Sequence, residues 1–568
     1  MTLLNDAEKN SQTEHTNEKA DDLMDLVGGN GSWQKWIFLV ILLCTVSDAN
    51  QNMSMSFYAP NIDHWCARPS DINISVEQWK AVALPPDDQH CSKYKFINIT
   101  NIHEVSLYLN TSDNPVITCD SWEYDDSVFT STVLGKFNLV CNREWLISMS
   151  KSIFIAGYIA ANTIFGYLSD KIGRRPVIIL SDAIAVTAAL GCAFSTSYIM
   201  FAVCRFFIAV GVLGVDNTVF VLMLEIIGPK HRSAYGMAAQ SGWGIGCAVL
   251  TILAWYLRDW FWIHLAITLP SIFLLFSWWL FPESPRWLLT HGKTDEALKV
   301  LSKAGKRNGM YSNAIETKIK EIVSKSNKDQ VFVNSSGNIL QLFKPGLWKR
   351  TLILFFVCCF HQCENYRLFS LEQQSDLLLL SSGVVEGTRS VSGFIYYGIS
   401  YNTNDLAGDP FLNFALCGLI EIPAQVLTLF TIQSKGRRNP LAFSLAGAGV
   451  ACFLVYVVPK DPSWIVPVLI LTGKFCVTAS YCILYIFTAE IFPTTVRNAG
   501  LGLASASGQI GSIVSPFTRE LGRATHPLVP LIVCGVLAAT GSALVLLLPE
   551  TNNCIVPDTP QEAKDINR

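Results

Sequence analysis

An aspartate in the middle of a long apolar run is costly to place in a bilayer. Two such residues stand out: Asp48, within Ser47-Asp-Ala-Asn-Gln-Asn52, and Asp216, nine residues before Glu225. Charges at membrane depth face a cavity, a pathway or a partner. Asp48 and Asp216 are expected to face a cavity and to attract cations or zwitterions; a helix–helix hydrogen bond is the plainer alternative. Glu421 and Lys474 lie in two further apolar runs, and for them an internal salt bridge is an equally good account.

A second set of charges recurs at matched spacing. Gly166-Tyr-Leu-Ser-Asp-Lys-Ile-Gly-Arg-Arg175 is echoed by Ser434-Lys-Gly-Arg-Arg438. Glu225-Ile-Ile-Gly-Pro-Lys-His-Arg232 is echoed by Glu490-Ile-Phe-Pro-Thr-Thr-Val-Arg497, and Pro282-Glu-Ser284 by Pro549-Glu-Thr551. The partners Gly173/Gly436, Glu225/Glu490 and Glu283/Glu550 are offset by 263, 265 and 267 residues. One nearly constant offset for three motifs implies two parallel repeats, as in transporters that rock about a central site. Asp170, Arg174, Arg175, Glu225 and Arg232 are expected to form a gating cluster in the first repeat, with Glu490 and Arg497 in the second. The plainer alternative is that these charges only anchor helix ends at the headgroups. Gly166 and Gly173 would let helices approach and turn tightly.

The elements that position these residues are membrane spans. The chain has 568 residues, is 50% hydrophobic and carries only 15% charged residues, where soluble domains carry about 25%. Its mean hydropathy is +0.33. Crossing the hydrocarbon takes about 20 apolar residues. Such runs occur at 36–58, 146–168, 177–196, 198–224, 234–257 and 261–281, then at 411–432, 440–458, 464–488, 499–518 and 527–548. Residues 1–32 are polar and acidic, so the first run reads as a retained helix behind an N-terminal tail. The net charge of −3 is too small to imply a nucleic-acid partner.

Basic short loops mark the cytoplasmic side. Lys171, Arg174 and Arg175, then Lys230 and Arg232, then Lys435, Arg437 and Arg438 fall in alternate loops, which places both termini inside and residues 59–145 outside. That outer loop holds Cys66, Cys91, Cys119 and Cys141 and the sequons at Asn73, Asn98 and Asn110. Four cysteines outside favour two disulfides with three pairings open, and the sequons read as glycosylated. Further sequons at Asn30 and Asn334 lie on the inner side and would not be used. The other thirteen cysteines lie in or near spans and read as small packing residues. The basic stretch 282–349 reads either as cytosolic helices docked beneath the bundle or as a solvated linker.

The Asp-Lys-Ile-Gly-Arg-Arg string resembles the signature loop of the major facilitator superfamily. More specific are Arg258-Asp-Trp, Pro282-Glu-Ser-Pro-Arg-Trp-Leu-Leu289, Tyr396-Tyr-Gly, Glu490-Ile-Phe-Pro-Thr-Thr-Val-Arg-Asn498 and a large outer loop opening with Pro60-Asn-Ile-Asp-His-Trp-Cys66. Together, from about residue 33 to 550, the chain resembles the organic cation/anion/carnitine transporter family of the solute carrier 22 type. The resemblance implies an all-α major facilitator fold of twelve spans in two six-helix halves. It also implies alternating-access movement of small organic ions at the plasma membrane, without ATP hydrolysis. By resemblance, Phe220, Gln240, Tyr396 and Tyr481 line the cargo cavity; aromatic faces hold quaternary ammonium groups by cation–π attraction. At the position of Gln509 the family carries an acid in many cation carriers and an arginine in anion carriers; Gln509 fits neither. The missing arginine argues against anions, leaving cations or zwitterions such as carnitine.

One stretch departs from the pattern. Span seven opens at 350–360, turns polar, and resumes at 394–402. Residues 361–393 carry Glu364, Arg367, Glu372, Asp376, Glu386 and Arg389, which cannot sit unsatisfied in hydrocarbon. The preferred reading is a retained intron or gene-prediction error; a re-entrant insertion is the alternative. Span seven would then join 350–360 to 394–402. The domain layout is therefore an inner tail 1–32, a first half 33–281, an inner loop 282–349, a second half 350–549 and an inner tail 550–568.

Other function classes have less support. There is no His-Glu-x-x-His, Gly-x-Ser-x-Gly or Gly-x-x-x-x-Gly-Lys string, and none of the nine histidines are paired at metal-ligand spacing. No catalytic residue, metal or cofactor is expected. An organic anion carrier and a non-transporting receptor or scaffold are the alternatives to a cation carrier.

Overall fold

Long apolar runs without internal breakers become helices because every backbone group must be satisfied within the segment. The structure, a computed structural model, describes residues 24–69, 74–95, 115–310, 388–400, 409–458, 464–491 and 508–551, apart from short stretches inside those ranges. The first half contains α1 (Ser32–Met53), then, after the disulfide-bonded loop and its helix α2 (Val76–Ala83), α3 (Trp145–Ile172), α4 (Arg174–Ala193), α5 (Tyr198–Ile226), α6 (Arg232–Leu257) and α7 (Trp260–Leu274). The second half contains α10 (Pro410–Leu419), α11 (Glu421–Lys435), α12 (Arg438–Val457), α13 (Ile465–Ile491), a helical stretch from Gly508, α14 (Thr518–Ala524) and α15 (Val529–Val545). Seven helical segments among the described residues are long and apolar enough to cross a membrane.

Small residues set how closely the helices pack. A Cβ at Gly211 of α5 would lie 2.5 Å from the Ser181 carbonyl of α4, and one at Gly157 of α3 would lie 2.6 Å from the Phe206 carbonyl of α5. Between the halves, a Cβ at Gly244 of α6 would meet the Gly418 carbonyl of α10 at 2.8 Å. Gly166 is different: nothing lies within 4 Å of its Cβ position, so it is not a site of close helix approach.

The loop between α1 and α3 forms two antiparallel ribbons, β1 (His64–Cys66) with β4 (Trp122–Tyr124) and β2 (Ser92–Tyr94) with β3 (Val116–Thr118). Of the three open pairings the structure has Cys66–Cys119 and Cys91–Cys141, with Cα atoms 5.4 and 5.7 Å apart. Asn73, Asn98 and Asn110 lie outside the described residues.

At the opposite end lie the basic loops. There α8 (Pro285–Thr290) and α9 (Thr294–Arg307) bury Trp287, Leu288, Ala297 and Leu301 in a cluster with Val27 of the tail and Ile37 of α1. The stretch 282–310 is therefore docked on the bundle; of the remainder of that loop only residue 317 is described. Asn308 ties the tail down, donating to the Val27 and Gly28 carbonyls at 2.9 and 3.1 Å and accepting from the Trp33 amide at 2.9 Å.

The described end of the 361–393 stretch is informative. Residues 388–392 are helical, as are 394–397 on the far side of Gly393. Arg389 is 5% exposed with its guanidinium 5.3 Å from the Tyr485 ring, and a Cβ at Gly508 would lie 3.7 Å from its carbonyl. These five residues pack into the second half. Residues 361–387 lie outside the described residues.

Candidate cargo cavity and gates

The two halves build the same loop cluster from their repeated motifs. Gly173 has φ +103° and Gly436 φ +81°, conformations that favour glycine. Each brings two backbone amides to one carboxylate. The Arg174 and Arg175 amides donate to Glu283 at 2.8 and 3.2 Å; the Arg437 and Arg438 amides donate to Glu550 at 2.8 and 3.1 Å. The first arginine of each pair then reaches the glutamate at the end of α5 or α13. Arg174 binds Glu225 through Nε and Nη2 at 3.0 and 2.8 Å, with Asp170 at 3.0 Å. Arg437 binds Glu490 at 3.2 and 2.9 Å, and Thr551 donates to Glu490 at 2.5 Å.

Glu490 takes Arg437 as its partner, and Arg497 lies outside the described residues. Arg232 directs its Nε at the Leu224 and Ile227 carbonyls, 2.8 and 3.3 Å away, where α5 ends. It caps open carbonyls there, a helix-end role. The ion pairs formed between described residues at this end stay within one half.

A Cβ at Gly173 would lie 2.7 Å from Glu283 Oε2. Gly173→Ala is expected to cost about 1–3 kcal/mol from its backbone conformation, lowering the melting temperature of the purified protein. An unchanged melting curve would mean that the loop is not built around that carboxylate.

Between the halves, at mid-span, stand two differently charged walls. In the second half Pro423 cannot donate to the Leu419 carbonyl and its ring crowds it; the helix breaks at Ile420, and Glu421 opens α11. Glu421 is 3.0 Å from Lys474 of α13, and both side chains are 5% exposed or less. Tyr396 donates to Glu421 at 2.6 Å, Lys474 donates to Ser400 at 2.5 Å, and the Lys474 ammonium lies 3.1 Å from the Tyr396 ring centroid. Tyr481 stands 6.2 Å from Tyr396 between ring centroids and is 44% exposed. Here the salt-bridge alternative for Glu421 and Lys474 is the one realised.

In the first half the two carboxylates bind hydroxyls. Asp48 accepts a hydrogen bond from the Tyr158 hydroxyl, and Asp216 accepts one from Thr45 at 3.0 Å. Thr45 and Asp48 are three residues apart on α1 and so share a face. Neither carboxylate has a basic partner among the described residues. Asp48 is only 3% exposed: Tyr158 covers it, so it does not open directly on a cavity. Asp216 is the less buried of the two. Arg205, fully buried, turns instead to the Gln51 carbonyl and Ser54 hydroxyl at 3.0 and 2.8 Å, its guanidinium 4.3 Å from the Phe154 ring. Part of the polar run of α1 serves packing: Ser47 meets Ser271, and Gln51 donates to Thr268.

Contacts cross between the walls at several points. Asn52 donates to Tyr158 at 3.0 Å and to Tyr397 at 3.4 Å. The Cys482 thiol donates to Gln240 at 3.7 Å, and Ser241 donates to Gln425 at 3.2 Å. The Gln509 side-chain oxygen is buried and accepts no hydrogen bond from the described residues. Phe220 packs beside Gly236 and the lower cluster, so nothing places it in contact with Tyr396 or Tyr481. Tyr158 and Arg205 carry no local signal in sequence; Asn52 had one, its place in the polar run of the first span, and Glu283 and Glu550 had another, their repetition.

The chain matches the sugar (and other) transporter family over residues 97–371 and 376–556. It is 32% identical over 560 residues to an organic cation transporter protein of Drosophila melanogaster, covering 96% of this chain and 95% of the relative. The chain belongs to the organic cation/anion/carnitine transporter family of the major facilitator superfamily. It is 30% identical to the human organic cation/carnitine transporter 2, over 95% and 93% of the two chains. The fold is shared with the Escherichia coli xylose transporter in its inward-open form, at a TM-score of 0.57 and 14% identity over 93% of this chain and 99% of that one. As a member of this family it is a multi-pass membrane transporter and not an enzyme.

Proposed function

We propose that this transporter moves small organic cations, or zwitterions such as carnitine, across the plasma membrane by alternating access. The carrying observation is the pair Asp48 and Asp216, two carboxylates at membrane depth whose partners among the described residues are hydroxyls. The opposite wall already neutralises its own acid through Lys474. A cationic cargo supplies the missing counter-charge, with Asp216 as its first contact and Tyr396 and Tyr481 as aromatic neighbours. Phe220, Gln240 and Gln509 remain candidates for the same cavity, and Asp170, Arg174, Arg175, Glu225, Arg232, Glu490 and Arg497 for the gate.

In this reading the basic end is cytoplasmic, both termini are inside, and the disulfide-bonded loop is outside with Asn73, Asn98 and Asn110 glycosylated. The names of the relatives, which include organic cation and carnitine transporters, support the cargo class. Membrane potential would draw a cation inward by about 2.3 kcal/mol per charge per 100 mV.

Uptake in expressing cells tests this, with tetraethylammonium, carnitine and a dicarboxylate as cargoes. Accumulation of a cation or carnitine is expected, and Asp216→Asn should lower its uptake roughly ten- to a hundredfold, as loss of a charged hydrogen-bond partner does. Uptake of the dicarboxylate alone, or a cation uptake indifferent to Asp216→Asn, would overturn the proposal.

A further inference from the structure

The ion pairs between described residues at the basic end each stay within one half, whereas the opposite end carries one that crosses. Glu144, the residue before α3 in the first half, is in ion contact with Arg523 and lies 3.7 Å from Arg519, both on α14 of the second half. Glu144 is 18% exposed, Arg519 13% and Arg523 42%, so the Arg519 side of the contact is drier than an ordinary surface pair while the Arg523 side is open to water.

The seam continues inward from it. Chain geometry at Ser515–Phe517 is a tight turn of 3₁₀ helix leading into α14, which leaves carbonyls open for other donors. Ser148 donates to the Pro516 carbonyl at 3.1 Å and to Glu520 at 3.3 Å; one turn deeper, Ser152 donates to the Ile513 carbonyl at 2.6 Å. On the other flank of the same end, Phe57 of the first half stacks on Phe411 at 5.7 Å and meets Phe414 edge-on at 4.9 Å, with Phe129 at 5.5 Å from Phe411. The aromatic flank closes by shape, the seam by charge.

We propose that Glu144, Arg519 and Arg523 form the latch of the outer gate. Glu144 is a positioning residue that holds the outer ends of α3 and α14 together in the outward-closed state and must release them once per transport cycle. This rests on the alternating-access reading above. Breaking the latch shifts the population towards outward-open, because the contact exists in one state only.

The test reads accessibility and does not require the cargo to be known. Tyr397, which meets Asn52 across the halves, is replaced in Tyr397→Cys. Intact cells are labelled with a membrane-impermeant maleimide, and labelling of the protein retaining Tyr397 is subtracted. Adding Glu144→Gln should raise the labelling rate roughly tenfold, the shift one lost charge-assisted contact gives a two-state equilibrium. Arg519→Gln with Arg523→Gln should open the same seam from the other side, so poor surface expression of one variant leaves the other to decide. The reversed set Glu144→Arg, Arg519→Glu and Arg523→Glu should restore slow labelling. Unchanged rates in the neutralised variants, with Tyr397→Cys itself labelled measurably, would overturn the latch alone. Absence of labelling in every variant would overturn the alternating-access reading with it.

Discussion

Lys474→Met is expected to destabilise the transporter by about 3–5 kcal/mol, the cost of leaving one buried partner of an ion pair uncompensated. Lys474 is 1% exposed and Glu421 5%, so neither is rescued by water. Glu421→Met with Lys474→Met together should recover most of that stability, since two apolar side chains leave no orphaned charge. Tyr396 would then keep its ring packing but lose its carboxylate acceptor. A melting curve and surface abundance report the first effect; uptake reports the second. If the pair only holds the helices, the double variant regains uptake along with stability. If it also sets the Tyr396 ring, stability returns and uptake does not. A single Lys474→Met variant that melts with the parent protein would show that the pair contributes little to the fold.

The two loop clusters should differ in strength although their geometry repeats. Arg174 is 8% exposed and Glu225 12%, against 19% and 21% for Arg437 and Glu490. Arg174 also binds Asp170 and the Ser169 carbonyl. Screening by water weakens ion pairs with exposure. Arg174→Gln is therefore expected to remove about 2–4 kcal/mol and Arg437→Gln about 1–2 kcal/mol, within the span of charge-assisted and partly buried pairs. Reading uptake at saturating cargo against the concentration for half-maximal uptake separates roles. A loop that governs closure lowers the maximal rate with little change in half-saturation. An Arg437→Gln defect larger than that of Arg174→Gln would contradict the ranking by burial.

Much of the architecture was legible in the chain because the bilayer imposes a length. Hydrocarbon about 30 Å thick demands about 20 apolar residues per helix, and the runs at 177–196 and 440–458 fall within α4 and α12 apart from a few end residues. The repeat was legible for another reason. Each half needs a tight turn between its second and third helices, and Gly173 and Gly436 sit there with the same sign of φ. The stretch 388–392 was not legible, since an arginine in a suspected insertion gives no sign that a tyrosine ring will cover it.

The sequence by itself determined which residues could not face lipid, where the halves repeat and which end is basic. Those depend on composition along one strand of chain and on the spacing that a helix and a bilayer require. Partner choice was decided only by the tertiary structure. Glu490 takes Arg437, 53 residues upstream; Glu421 takes Lys474; Glu144 takes Arg519 and Arg523 from the other half. Each pairing depends on how helices distant in sequence are rotated and how closely their small residues let them approach. That is also why Asp48, a charge in the most polar run of the first span, ends up covered by Tyr158 while Asp216 is left less buried, with only a threonine to bind it.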